Sequence, residues 1–265
     1  MAKQHASLDR HDGPAKKAAV LAFALLAVQL TGFSAPSGEA SKPASAAKPT
    51  GPGAGASHAA LRVIAFGSSS TQGAGASSPS ASYPAQLQVD LMRMVPKGET
   101  VEVVNRGIGG QDADDMIQRL QSDVIAPRPN VVIWQTGSND PLRGVPLGRF
   151  EADMREGIKA LRQAGVAVIL MEPQWCPRLD QAAHADDYRQ AVRKIGQDLD
   201  VPVIRRSDMM HQWIAEGRMT RAQMLAPDGL HMADGGYAEL ARDIAPMVLK
   251  AAVIEPAATA ASRSK

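Results

Sequence analysis

Residues 61–73 read LRVIAFGSSSTQG. Leu61–Phe66 is a short apolar and β-branched run, broken only by Arg62, and it stops at Gly67. A run of that length bounded by glycine reads as a buried strand. The polar segment Ser68-Ser69-Ser70-Thr71-Gln72-Gly73 then stands at the strand's carboxyl end. Four later runs repeat the pattern: Val101–Val104 (VEVV), Val131–Trp134 (VVIW), Val166–Met171 (VAVILM) and Val201–Ile204 (VPVI). Helical periods separate them. Phe150, Met154, Ile158 and Leu161 recur on one face, with Gly165 where a C-terminal cap belongs. Asp186–Leu199 reads as a second helix. Asp234 opens a third, with Tyr237, Leu240, Ala241, Ile244 and Val248 on one face, and Pro246 is expected to kink or end it. Strands alternating with helices imply a parallel sheet covered on both faces. The expected fold is α/β, a flavodoxin-like three-layer α/β/α sandwich with a five-stranded parallel sheet. Ligands of such sheets bind beyond the carboxyl ends of the strands.

Outward from this core the composition changes. Lys16 and Lys17 precede an apolar run, Ala18–Val28, that is too short to span a bilayer. A basic flank, a short apolar run and small residues beyond it are the marks of a secretory signal. Residues 1–35 are therefore expected to be a signal peptide or N-terminal anchor, with cleavage after Ser34 or Ala40, and the product periplasmic or secreted, without stable membrane insertion after processing. Residues 36–59 hold Ala, Pro, Ser, Gly and Lys without large apolar side chains. Such a segment cannot offset its ordering entropy and reads as a linker. Residues 255–265 read as a similar tail, leaving residues 60–254 as the folded domain.

The bulk charge narrows the function classes. There are 29 basic and 27 acidic side chains, a net charge of +2. No concentrated basic surface is implied, so nucleic acid is not an expected partner. Only 4% of residues are aromatic, which argues against base-stacking platforms. The single cysteine, Cys176, excludes an internal disulfide and any Cys-rich zinc site. His184, His211 and His231 are far apart and form no HxxxH-type pair, so no metal and no other cofactor is expected.

Taken singly, the segments after the strands are ambiguous. Ser68–Gly73 fits a nucleophile turn, a phosphate cradle or a plain polar turn. Asn105-Arg106-Gly107-Ile108-Gly109-Gly110-Gln111-Asp112 offers free backbone N–H groups, or a flexible turn with Asp112 capping a helix. Thr136-Gly137-Ser138-Asn139-Asp140 offers an amide donor or a turn. Asp228-Gly229-Leu230-His231 places a carboxylate three residues from an imidazole, which suits a base held in one tautomer, or an exposed His near a helix start. Together and in order, they supply the nucleophile, base, base-orienter and oxyanion donors that acyl transfer needs.

These four blocks resemble those of the SGNH (GDSL-like) hydrolases. Gly67-Ser68-Ser69-Ser70-Thr71 is similar to the family's G-D-S-x-T block and implies Ser69 as nucleophile. Asn105–Gly110 is similar to N-x-G-x-x-G and implies Gly110 as an oxyanion donor. Gly137-Ser138-Asn139-Asp140 is similar to G-x-N-D and implies Asn139 as the side-chain donor. Asp228-Gly229-Leu230-His231 is similar to D-x-x-H, the acid and base. The Asn139–Gly144 run (NDPLRG) also resembles periplasmic thioesterase and lysophospholipase members. The resemblance covers about Leu61 to Val253. It implies an esterase with a Ser69-His231-Asp228 triad and an oxyanion hole of Ser69, Gly110 and Asn139. One departure stands out: Ser68 occupies the place of the family's Asp, leaving Ser68 and Ser70 as rival serines.

The expected substrate is a small-molecule or glycan acyl ester, short-chain or acetyl. Longer acyl chains are the alternative, and a non-catalytic glycan-binding module or a nucleotide binder of the same fold are rivals from other classes. Glu172, Pro173, Gln174 and Trp175 follow the fourth strand and are expected to rim the pocket, with Arg143 near the third; of these, Arg143 and Trp175 are the expected substrate contacts.

Overall fold

The computed structural model describes residues 60–262, with side chains described for residues 61–253. The expected leader (1–35) and linker (36–59) lie outside the described residues. Five parallel strands form one sheet: β1 (Ala60–Gly67), β2 (Thr100–Gly107), β3 (Val131–Gln135), β4 (Ala167–Met171) and β5 (Val203–Ile204), in the order β2-β1-β3-β4-β5. This is the flavodoxin-like order, and it reverses direction between β1 and β3. The inner strands β1, β3 and β4 are apolar almost throughout because both faces are covered. Val63, Ala65, Ile133 and Ile169 face a layer built from α2 (Tyr83–Met94), α8 (Arg206–Ala215) and α10 (Asp234–Ser262). Ile64, Phe66, Trp134 and Leu170 face α3 (Ala113–Leu120), α5 (Leu147–Gln163) and α7 (Ala185–Asp198). Each fully buried Leu or Phe in these layers contributes roughly 1.5–3 kcal/mol.

Helix α5 carries Phe150, Met154, Ile158 and Leu161 on its buried face. Gly165, just beyond it, takes φ +72°, as a left-handed cap requires. Three boundaries differ from expectation. Strand β2 continues through Asn105, Arg106 and Gly107, because its register with β1 holds to Gly67↔Gly107. Strand β5 shrinks to Val203–Ile204, since Pro202 has no N–H to donate, although its carbonyl accepts from Leu170 N at 2.9 Å. Helix α10 passes Pro246 and reaches Ser262, into the stretch expected to be a disordered tail. Burial of Ile244, Ala245 and Val248 around the proline offsets the one intrahelical bond it removes. Alanines at 257, 258, 260 and 261 favour helix beyond it.

Candidate active site

Gly67 ends β1, and Ser69 opens the one-turn helix α1 (Ser69–Gln72). Thr71 N and Gln72 N donate to Ser68 O at 3.1 and 2.9 Å, which closes the turn. The turn is held from below by Gln135, the last residue of β3, which is fully buried. Gln135 Oε1 accepts from Ser68 N at 3.0 Å, Ser68 Oγ at 3.1 Å and Thr71 Oγ1 at 3.1 Å. A backbone N–H can only donate, so the amide oxygen is what faces the turn. Ser68 and Ser70 are buried, and Ser70 Oγ donates to Gln174 Oε1 at 3.4 Å. Of the three serines, Ser69 is the one partly exposed and the one facing His231.

The Asp228–His231 turn precedes α10. Asp228 Oδ1 accepts from the backbone N–H groups of Leu230 and His231, both at 2.9 Å. Its Oδ2 lies 2.5 Å from His231 Nδ1. Partial burial pushes the Asp228 carboxyl up, but the hydrogen bonds from the His231 ring and the two backbone N–H groups outweigh it and hold it at about 2. An ionised carboxylate can only accept, so Nδ1 carries the ring proton. Nε2 is left as an acceptor, and Ser69 Oγ donates to it at 2.8 Å.

The segment after β2 forms the opposite wall. A Cβ on Gly107 would stand 2.1 Å from Gln72 N, so only glycine lets this strand end press against α1. A Cβ on Gly109 would fall 3.7 Å from Ser69 Cβ, which places this segment at the border of Ser69. Gly109 N donates to Gln72 Oε1 at 3.0 Å. Among the described residues the Gly110 N–H has no hydrogen-bond partner. Asn139, partly buried after β3, donates through Nδ2 to Gln111 O at 2.8 Å and ties the two segments together. That bond uses one of its two amide hydrogens.

Arg143 and Trp175 each contact other side chains of the protein. Arg143, at the end of α4 (Asp140–Arg143), directs Nη1 to Asp115 at 2.5 Å, to Asp112 at 3.0 Å and to Gly110 O at 3.2 Å. The Asp115 hydrogen bond raises the Arg143 pKa, and Arg143 lowers that of Asp115. Asp112 is itself the N-cap of α3, in a capping box with Asp115. The guanidinium thus braces the Gly110–Asp115 segment. Trp175 stacks on His211, with ring centroids 4.0 Å apart, and the Arg221 guanidinium lies 4.9 Å from the Trp175 centroid. Its ring is packed between α8 and α9 (Arg221–Met224).

One buried polar residue beneath the site, Gln135, was not singled out by sequence reasoning. Gln135 is a polar residue ending an apolar strand, which is the signal that marks it. Glu172, fully buried, accepts from Arg193 Nε at 2.5 Å and Nη2 at 2.8 Å, and from Ser207 N and Oγ at 3.1 and 2.6 Å. Asp140 is fully buried. Its Oδ1 accepts from Ala113 N at 3.0 Å, and its Oδ2 has no partner. Burial pushes its carboxyl up to about 6 against the pull of backbone hydrogen bonds.

A model of the Non-GDSL lipase-like family matches residues 44–254. The chain belongs to that family. The uncharacterized lipoprotein YqeF of Bacillus subtilis is 26% identical over 208 residues, 66% of this chain and 84% of the relative. The acetylxylan esterase of Geobacillus stearothermophilus is 28% identical over 123 residues, 42% of this chain and 56% of the relative. A solved G-D-S-L family protein from Desulfitobacterium hafniense superposes with a TM-score of 0.59 at 22% identity, covering 71% of this chain and 99% of that one, and shares the fold. The Non-GDSL lipase-like chain is thus an SGNH (GDSL-like) hydrolase of the carboxylic-ester class. Among the described residues no helix is long and apolar enough to cross a membrane.

Proposed function

We propose that this hydrolase is an exported serine esterase that cleaves short-chain acyl or acetyl esters of small molecules or glycans through an acyl-enzyme on Ser69. The observation that carries the reading is the continuous chain Asp228 Oδ2–His231 Nδ1 at 2.5 Å and His231 Nε2–Ser69 Oγ at 2.8 Å. His231 Nε2 takes the hydroxyl proton as Ser69 Oγ attacks the ester carbonyl, and Asp228 stabilises the imidazolium that forms. The oxyanion accepts from the N–H groups of Ser69 and Gly110 and from the Asn139 amide. His231 then protonates the departing alcohol, and a water molecule repeats the sequence on the acyl-enzyme. Labelling with a fluorophosphonate tests this directly. The expected adduct is on Ser69; an adduct on Ser68 or Ser70 instead, or no adduct, would refute it.

The acetylxylan esterase relative supports an acetylated glycan as substrate. One observation favours a second reading with longer acyl chains. Ile108 and Leu142 are large exposed apolar side chains adjacent to the Gly109 and Asn139 segments. A p-nitrophenyl ester series from acetate to decanoate separates the two: a rate falling with chain length supports the short-acyl reading, and a rising rate supports the other. Export rests on the Lys16-Lys17 flank and the Ala18–Val28 apolar run. Release of a shortened chain into a bacterial periplasm would support it.

A further inference from the structure

The Ser69, Asn139 and His231 segments come from three distant parts of the chain, and one side chain touches all three. Gln174 lies beyond β4 and is 1% exposed. Its Nε2 donates to Leu230 O at 2.9 Å, the carbonyl just before His231. Its Oε1 accepts from Ser70 Oγ at 3.4 Å, just after Ser69, and from Ser138 Oγ at 3.3 Å, just before Asn139. The same oxygen accepts from Arg206 Nη2 at 2.6 Å. Arg206 is fully buried; its Nε donates to Glu172 O at 3.2 Å, and its Nη1 has no partner. A buried guanidinium with so few acceptors holds strongly to each one it has, so Gln174 is fixed from beneath.

We infer that Gln174 is a positioning residue that sets Ser69, Asn139 and His231 in mutual register, an inference that rests on the acyl-transfer reading above. The chemistry specifies an amide. Holding the Leu230 carbonyl needs a donor, while holding two hydroxyls and a guanidinium needs an acceptor. Glutamate supplies only the acceptor, and methionine, of similar size, supplies neither strongly. Gln174 touches none of the reacting atoms, so its effect belongs in kcat through geometry, where a misplacement of about 1 Å costs on the order of 10²-fold.

The test compares Gln174→Met, Gln174→Glu and Ser69→Ala on p-nitrophenyl acetate, each held well below its own melting temperature. Gln174→Met is expected to lower kcat by about 100-fold with KM within roughly threefold of the parent. Gln174→Glu is expected to recover about tenfold of that and still fall short of the parent, because it cannot donate to Leu230 O. A folded Gln174→Met protein with parental kcat, or a loss carried by KM in either variant, would overturn the inference. Should Gln174→Met fail to fold, Gln174→Glu decides alone: reduced kcat with parental KM supports the role, and parental kcat overturns it. Collapse in Ser69→Ala beside parental rates at position 174 would remove only this inference. Parental activity in Ser69→Ala would remove the serine-esterase reading itself.

Discussion

Ser68 Oγ donates to Gln135 Oε1 at 3.1 Å, at the position where the related G-D-S block carries an aspartate. The same oxygen holds Ser68 N and Thr71 Oγ1, so its orientation is fixed by three donors. A carboxylate at position 68 would face an amide oxygen with no proton between them. Ser68→Asp is therefore expected to lower stability by about 1–3 kcal/mol, a fall in Tm of several degrees for a domain of this size. Thermal melting of the variant checks this. An unchanged Tm would show that the turn re-forms around aspartate and that Gln135 does not select serine.

Arg143 bonds to Asp112, Asp115 and Gly110 O, and so braces the segment that carries the proposed Gly110 donor. Arg143→Ala is expected to lower kcat by about tenfold with KM close to the parent, as loss of a transition-state interaction does. Steady-state kinetics on p-nitrophenyl acetate gives the split. A raised KM with unchanged kcat would return Arg143 to a substrate-binding role.

The buried Asp140 carboxyl, pushed up to about 6, makes a pH-dependent contribution to stability. Its folded pKa lies above the ordinary carboxylate value of 3.8. The contribution is therefore fully present below that value and is lost as pH rises through about 6. Asp140→Asn stays neutral and keeps an acceptor for Ala113 N. Its Tm is expected to match the parent near about pH 4 and to exceed it near about pH 8, by up to about 3 kcal/mol in stability. Melting curves across that range check the trend; a constant gap would mean that Asp140 does not titrate in the native state.

Much of this organisation is legible in the linear sequence, for a physical reason. Parallel strands covered on both faces must be apolar throughout, so Leu61–Phe66, Val131–Trp134 and Val166–Met171 stand out as runs. The segments with chemical capacity follow those runs because the sheet places its ligand edge there. The supporting polar network is not legible. Gln135 meets Ser68 across 67 residues, and Gln174 meets Ser70 across 104; no local pattern specifies such pairs. Arg143 reads as a substrate-site residue, and its pairing with Asp112 and Asp115 is visible only once the fold brings them together. The stacking of Trp175 on His211, which α8 presents to its ring, is likewise invisible in the sequence. Pro246 does not end α10, since packing on both sides of it outweighs the local breaking tendency.

The central claim is that Ser69, with its proton accepted by His231, is the nucleophile of an ester hydrolase. The most direct test is the steady-state rate of p-nitrophenyl acetate hydrolysis by the parent and by Ser69→Ala, with folding of both verified by thermal melting. The expected result is a loss of kcat in Ser69→Ala approaching about 10⁶-fold, as for other triads that lose their nucleophile. Equal rates in the two folded proteins would contradict the proposed role of Ser69.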